Sequence, residues 1–117
     1  EHKSPVTSIV VRSDDRECAS SSDDGSCIQW DLRNYRRTQA LFASTMFKSI
    51  IYHPDESQLL SCGSDRKLTY WDAFDGSAIR IIEGGSAQIN ALDADIEGNY
   101  FVSAGNDCQL RLFSYDE

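Results

Sequence analysis

The chain has 117 residues, 40% of them hydrophobic, with 19 acidic against 11 basic side chains and a formal net charge of −8 at pH 7. An acidic surface of this kind repels phosphate backbones, which argues against nucleic acid as the main partner. No apolar run reaches the roughly 18 residues of a membrane-spanning helix, so no membrane role is expected. Cys18, Cys27, Cys62 and Cys108 are spaced 9, 35 and 46 residues apart, too far for a zinc-ligand pair, and read as buried small hydrophobes in a reducing, cytoplasmic setting.

In chain order, residues 2–11 (HKSPVTSIVV) pass from a loop into a β-branched run and predict a first strand, with a turn at 12–15 and a second strand at 16–22. Asp24-Gly25 supplies the backbone freedom of a tight hairpin turn, and a third strand is predicted over Ser26–Leu32. Residues 33–37 (RNYRR) read as a basic turn before a fourth strand, TQALFA. The same order returns in FKSIIY, a turn at His53-Pro54-Asp55, QLLSCG, KLTYWD and AIRIIE, and once more in QINALDA, a turn at Glu97-Gly98-Asn99, YFVSAG and QLRLFS, where no fourth strand follows. Runs such as FKSIIY and AIRIIE are apolar at adjacent positions, as expected for sheets covered on both faces. Turn residues recur too often for any sustained helix.

Superposing the segments pairs Asp24 with Asp65 and Asp107, shifts of 41 and 42 residues, and pairs Trp30-Asp31 with Trp71-Asp72 and Phe113-Ser114. A period of about 40–45 residues with Asp six places before Trp-Asp resembles the WD-repeat family of β-propellers. The resemblance implies an all-β fold: two complete four-stranded blades, one over residues 2–43 and two over 44–84, and three strands of a third over 85–117, so that 1–117 is a partial WD-repeat propeller. Closed propellers have about 4–8 blades, so the chain is expected to be a fragment of a longer protein. The remaining blades, or another copy, would then cover the open faces of the end blades.

The family pattern implies a hydrogen-bonded set of His, Ser, Asp and Trp in each blade. Blade one offers His2, Ser20, Asp24 and Trp30, blade two offers Ser61, Asp65 and Trp71, and blade three offers Ser103 and Asp107. The physics is independent of the family: a buried carboxylate and imidazole need partners, and an indole N–H is a donor with few alternatives. Ser, His and Asp together also suggest a catalytic triad. Repetition of the set points instead to a structural role, and with no nucleophile motif, phosphate loop or metal set, neither enzymatic activity nor a cofactor is expected. At the position of His2 blade two has Ala43 and blade three has Gly85, and Phe113 lacks the indole donor, so both later blades are expected to rely more on apolar packing.

Propeller loops project from a rigid ring and present recognition segments at little ordering cost. The predicted protein-binding face comprises Lys3, Ser4, Ser44, Thr45, Ser86 and Gln88 between blades, with Asp23, Arg66 and Asn106 at hairpin tips and Arg33 as a further candidate contact. His53 reads as a solvated turn residue. The Arg33, Arg36, Arg37 cluster suits either an acidic partner or a solvated edge that discourages strand pairing.

Two functional readings follow from resemblance. Trp30-Asp31-Leu32-Arg33 matches a W-D-x-R motif seen in WD-repeat substrate receptors of cullin ubiquitin ligases, with Arg33 as the docking contact. YHP before a turn, SDRKLTYW, FDGSAIR and GND, positions that the propeller leaves free, resemble the WD-repeat cilia- and flagella-associated proteins. That second resemblance implies a scaffold on the inner wall of the axonemal doublet microtubule, with tubulin and axonemal proteins as partners and a role in ciliary motility.

Overall fold

The computed structural model describes residues 2–95 and 97–114. Its eleven strands form three antiparallel sheets. Strands β1 (Val6–Val11), β2 (Glu17–Ser22), β3 (Ser26–Asp31) and β4 (Arg36–Phe42) pair in sequence order in the first sheet. Strands β5 (Phe47–Tyr52), β6 (Gln58–Gly63), β7 (Lys67–Asp72) and β8 (Ala78–Glu83) do the same in the second, and β9 (Ile89–Ala94), β10 (Tyr100–Gly105) and β11 (Leu110–Ser114) form the third. The all-β expectation therefore holds, with every strand within a few residues of its predicted place.

Two boundaries differ from the sequence reading. Strand β3 ends at Asp31, whose carboxylate turns back to accept the Arg33 and Asn34 amides and opens the loop, with the Leu32 amide still donating to the Arg16 carbonyl. Strand β4 opens at Arg36, so Arg36 and Arg37 are strand residues rather than turn residues. Tyr35 (φ 57°) has already reversed the chain, and Arg36 lies directly across from Asp31, an opposite-charge pair that suits the ladder.

The turns repeat as faithfully as the strands. Residues 25, 66 and 108, at the second hairpin of each sheet, all have left-handed φ, of 87°, 64° and 66°. Asp15, Glu56 and Gly98 share the first loop's left-handed position, and Tyr35 and Gly76 share the third loop's. Only Gly25, Gly76 and Gly98 are glycines, so five L-residues adopt a conformation that costs each roughly 1–2 kcal/mol. The hairpin at Asp24-Gly25 is a three-residue loop, with the Gly25 amide donating to the Ser22 carbonyl and Gly25 supplying the left-handed residue.

The core lies between sheets. Ala19, Cys27 and Leu41 of the first sheet meet Phe47, Ile50, Tyr52, Leu59 and Trp71 of the second. Leu60, Cys62, Leu68 and Tyr70, on the second sheet's other face, meet Ile89, Leu92 and Phe101 of the third. Leu59 and Leu60 thus serve opposite cores, which is why β6 is apolar at consecutive positions. Each junction is also hydrogen-bonded: Thr7 Oγ1 donates to the Phe47 carbonyl at 2.6 Å, Lys48 Nζ to Asp23 Oδ1 at 2.7 Å, and the Leu92 amide to Ser49 Oγ at 3.3 Å.

Cysteine burial follows the same geometry with one exception. Cys18, Cys27 and Cys62 are buried, and burial raises all three thiol pKa values, that of Cys62 to about 12. Cys108 departs from the expectation: it is exposed, because it occupies the left-handed turn position of the third sheet instead of a strand.

Candidate functional site

In the first sheet the predicted His, Ser, Asp and Trp are brought together, with Ser26 as an additional member. Trp30 Nε1 donates to Ser20 Oγ at 3.0 Å, and Ser20 Oγ lies 2.7 Å from His2 Nε2. His2 Nδ1 lies 2.9 Å from Ser26 Oγ, which donates in turn to Asp24 Oδ1. Ser26 uses its only proton on the carboxylate, so it must accept from His2 Nδ1–H. In a neutral ring Nε2 is then the acceptor, and Ser20 donates to it. The result is one uninterrupted donor chain, Trp30 to Ser20 to His2 to Ser26 to Asp24, whose dipoles reinforce one another.

Asp24 closes the chain. Burial pushes its carboxyl up, but the Ser26 hydroxyl, the Lys3 and Ser26 amides and the nearby His2 ring together hold it well below the usual carboxylate range. Both its oxygens are engaged: Oδ1 accepts from Ser26, and Oδ2 accepts the Lys3 amide at 2.7 Å. Ser20 is only 5% exposed, and its hydroxyl is committed between an indole and an imidazole. The trio therefore clamps the chain's entering segment to the hairpin.

Each later sheet keeps part of this device. Trp71 Nε1 donates to Ser61 Oγ at 2.8 Å, while Asp65 Oδ1 accepts the Lys67 amide. Thr45 Oγ1 takes over the clamping of the second hairpin by accepting the Asp65 amide and pairing with Ser64 Oγ. In the third sheet Arg111 Nη1 donates to Asp107 Oδ2 at 2.8 Å, and a Cβ on Gly85 would come within 2.9 Å of that nitrogen. A guanidinium thus fills the space that His2 occupies in the first sheet, where the sequence led us to expect apolar packing. Through the Arg111 bond foremost, the Asp107 carboxyl is lowered to about 2. Ser103 is buried at 3%, and Phe113, in the tryptophan's place, stacks on Phe101 with ring centroids 4.9 Å apart.

The residues of the predicted binding face have several fates. Lys3, Ser44, Arg66, Ser86 and Asn106 are exposed, with Ser4 and Gln88 partly so. Ser86 Oγ donates to Asp107, Gln88 Nε2 donates to Asn90, and Asn106 Oδ1 accepts from Asn90, so these three already serve local bonds. Asp23 is held by Lys48 across the first junction. Thr45 is a correction: it is only 9% exposed and its hydroxyl anchors the second hairpin, so it is not presented to a partner. Arg33 lies away from the hairpin tips, in the β3–β4 loop, and is exposed. His53 Nδ1 lies 2.9 Å from Asp55 Oδ1 within its turn.

Sequence reasoning missed two sets of residues. Ser26 carries a weak signal, since position Asp+2 donates its amide to the aspartate in every sheet, at Ser26, Lys67 and Gln109, but only Ser26 adds a hydroxyl. Arg16 and Phe74 carried no signal for each other. They are brought together with Arg33 at a cleft of about 390 Å³ between the first and second sheets. Among the described residues, no group of three or more His, Cys, Asp or Glu is placed to hold a metal ion, and no helix is long and apolar enough to cross a membrane.

Comparison with known proteins agrees with this geometry. The family described as WD domain, G-beta repeat matches residues 1–31, 42–72 and 76–114. Cilia- and flagella-associated protein 52 of Chlamydomonas reinhardtii is 53% identical over 100% of this chain and 19% of its own length. The proteins of the same name from Bos taurus and Homo sapiens are 45% and 46% identical over the same shares. Nuclear distribution protein PAC1 of Komagataella phaffii is more distant, at 31% identity over 82% of this chain and 20% of its own length. The chain thus spans about a fifth of the length of the curated relatives it matches. With three matched repeats, three stacked antiparallel sheets and a Trp-Ser bond recurring in two of them, the chain belongs to the WD40 (WD domain, G-beta repeat) family.

Proposed function

We propose that this chain is part of a non-enzymatic scaffold in cilia and flagella, a propeller segment of a protein on the inner wall of the axonemal doublet microtubule that supports motility. The carrying observation is identity of 45–53% over the whole chain to proteins named for cilia and flagella. Such identity extends well beyond the residues that a WD40 blade requires. Tubulin and neighbouring axonemal proteins are the proposed partners. Two features support a scaffold. The Ser, His and Asp side chains that would suggest catalysis are tied into a clamp, and rigid stacked sheets hold short loops ready for contact. The fluorescently tagged full-length protein should decorate the axoneme along its length and remain after membrane extraction, and its loss should impair beating. A protein confined to the cell body, or cilia that beat normally without it, would overturn the proposal.

A further inference from the structure

The cleft between the first two sheets is lined from both of them. Arg12 and Arg16 come from the β1–β2 loop, Arg33 from the β3–β4 loop, Gln39 from β4, and Ala73 and Phe74 from the β7–β8 loop. Arg12 is internally neutralised: its guanidinium bonds Asp14 at 2.9 and 3.0 Å and Glu17 at 2.8 Å. The cleft's acids are committed as well. Glu17 also accepts from Gln29 Nε2, and Asp31 accepts the Arg33 amide and both the amide and side chain of Asn34. Arg16 and Arg33 are exposed, and neither guanidinium forms a salt bridge among the described residues, although Asp14, whose carboxyl is lowered foremost by its direct bonds to Arg12, lies near enough to Arg16 to be lowered by it as well. On the opposite lip Phe74 is 77% exposed. In the wall, the Gln39 Nε2 donor is buried without an acceptor.

We infer that this cleft is a docking site for a short acidic peptide segment of a partner protein, with carboxylates on Arg16 and Arg33 and an apolar side chain against Phe74 and Ala73. Charge complementarity carries the inference. On a chain of net charge −8, two exposed guanidinium groups outside any salt bridge beside a bare aromatic ring are a local inversion of the surface. Guanidinium forks bind carboxylates in two-point geometry, and arginine and aromatic residues are enriched among the side chains that dominate interface energetics. A nucleic acid strand fits less well, because Glu17 and Asp31 line the same cleft and the remaining surface repels extended polyanions. The inference deepens the scaffold reading and rests on the chain being a protein-binding module, but it does not depend on where in the cell the protein resides.

The test is fluorescence anisotropy on the purified full-length protein, with a fluorescein-labelled peptide of six glutamates around a central phenylalanine. Saturable binding that weakens as salt is raised is expected. Arg16→Ser combined with Arg33→Ser should weaken it about tenfold or more, and Phe74→Ala should weaken it several-fold. Lys67→Ser with Arg80→Ser, the latter over Tyr70 on the second sheet's other face, should leave it unchanged. All of these positions are exposed, so the variants retain the fold. Absence of binding, equal losses in the two double variants, or tighter binding of a single-stranded oligonucleotide of similar length would each overturn the inference. Failure here leaves axonemal localisation intact, and a mislocalised protein would still be scored for peptide binding, so the two proposals fail separately.

Discussion

The hydrogen-bond chain of the first sheet depends on its terminal charge. Asp24 accepts from Ser26 and Lys3, so Asp24→Ala leaves a serine hydroxyl and two backbone amides without their acceptor and should lower unfolding stability by about 2–3 kcal/mol, measured by urea denaturation. Trp30→Phe removes only the first donor and should cost less, about 1 kcal/mol. The depressed Asp24 carboxyl also sets a pH dependence. The unfolded state binds a proton near pH 4 while the folded state resists it to lower pH, so the unfolded state holds more protons in between and stability falls with pH. The Asp24 contribution is therefore full above about pH 4 and is lost progressively as the medium is acidified below it. Melting series at pH 7, 4 and 3 should show this decline, and it should be shallower in Asp24→Ala; equal slopes would refute the assignment. Asp24 and Trp30 were legible from their repeats. Ser26 was not, because a serine beside a turn looks the same whether its hydroxyl faces solvent or a carboxylate.

At the scale of the strand and hairpin, the recurring left-handed positions make the second turn of each sheet a natural experiment. Gly25 meets the requirement at no steric cost, whereas Arg66 meets it with a side chain. Arg66→Gly should therefore raise the melting midpoint, by the equivalent of about 1 kcal/mol. An unchanged or lowered midpoint would show that the arginine has contacts that offset its backbone strain. Gly63 presents the opposite case, since a Cβ there would run into the Met46 carbonyl and come within 2.7 Å of Thr45 Oγ1. Gly63→Ala should destabilise by about 2 kcal/mol or more, because Met46 is backbone and has little room to yield. The strands were readable from β-branched runs between turn residues. The left-handed positions were harder to see, because five of the eight are not glycine and only superposition of the loops reveals their common conformation.

At the scale of the whole molecule, the two tryptophans show what stacking decides. Trp71 faces the first sheet and is 5% exposed, whereas Trp30, its counterpart, lies on a face against which no sheet packs among the described residues and is only half-buried. Ile9 and Val11 share that open side at 66% and 50% exposure, and Leu110, Leu112 and Tyr100 line the far side of the third sheet at 72%, 66% and 48%. Apolar faces of this kind call for further blades. Residues 1–117 expressed alone should self-associate with rising concentration in size-exclusion chromatography with light scattering. Ile9→Lys with Leu110→Lys and Leu112→Lys should suppress the effect. A wild-type chain that stays monomeric throughout would contradict this account.

The sequence alone determined the strands, the loops between them and the repeat, because strand propensity and turn chemistry act over a few residues and the period copies them along the chain. Tertiary structure decided which faces are covered, that Thr45 is buried and Cys108 exposed, and that Arg111 replaces the histidine in the third sheet. It alone placed Arg16 and Arg33 opposite Phe74, residues separated by 58 and 41 positions. Such meetings arise only when one sheet packs on the next, and the relative placement of side chains a whole repeat apart is set by that packing rather than by local sequence.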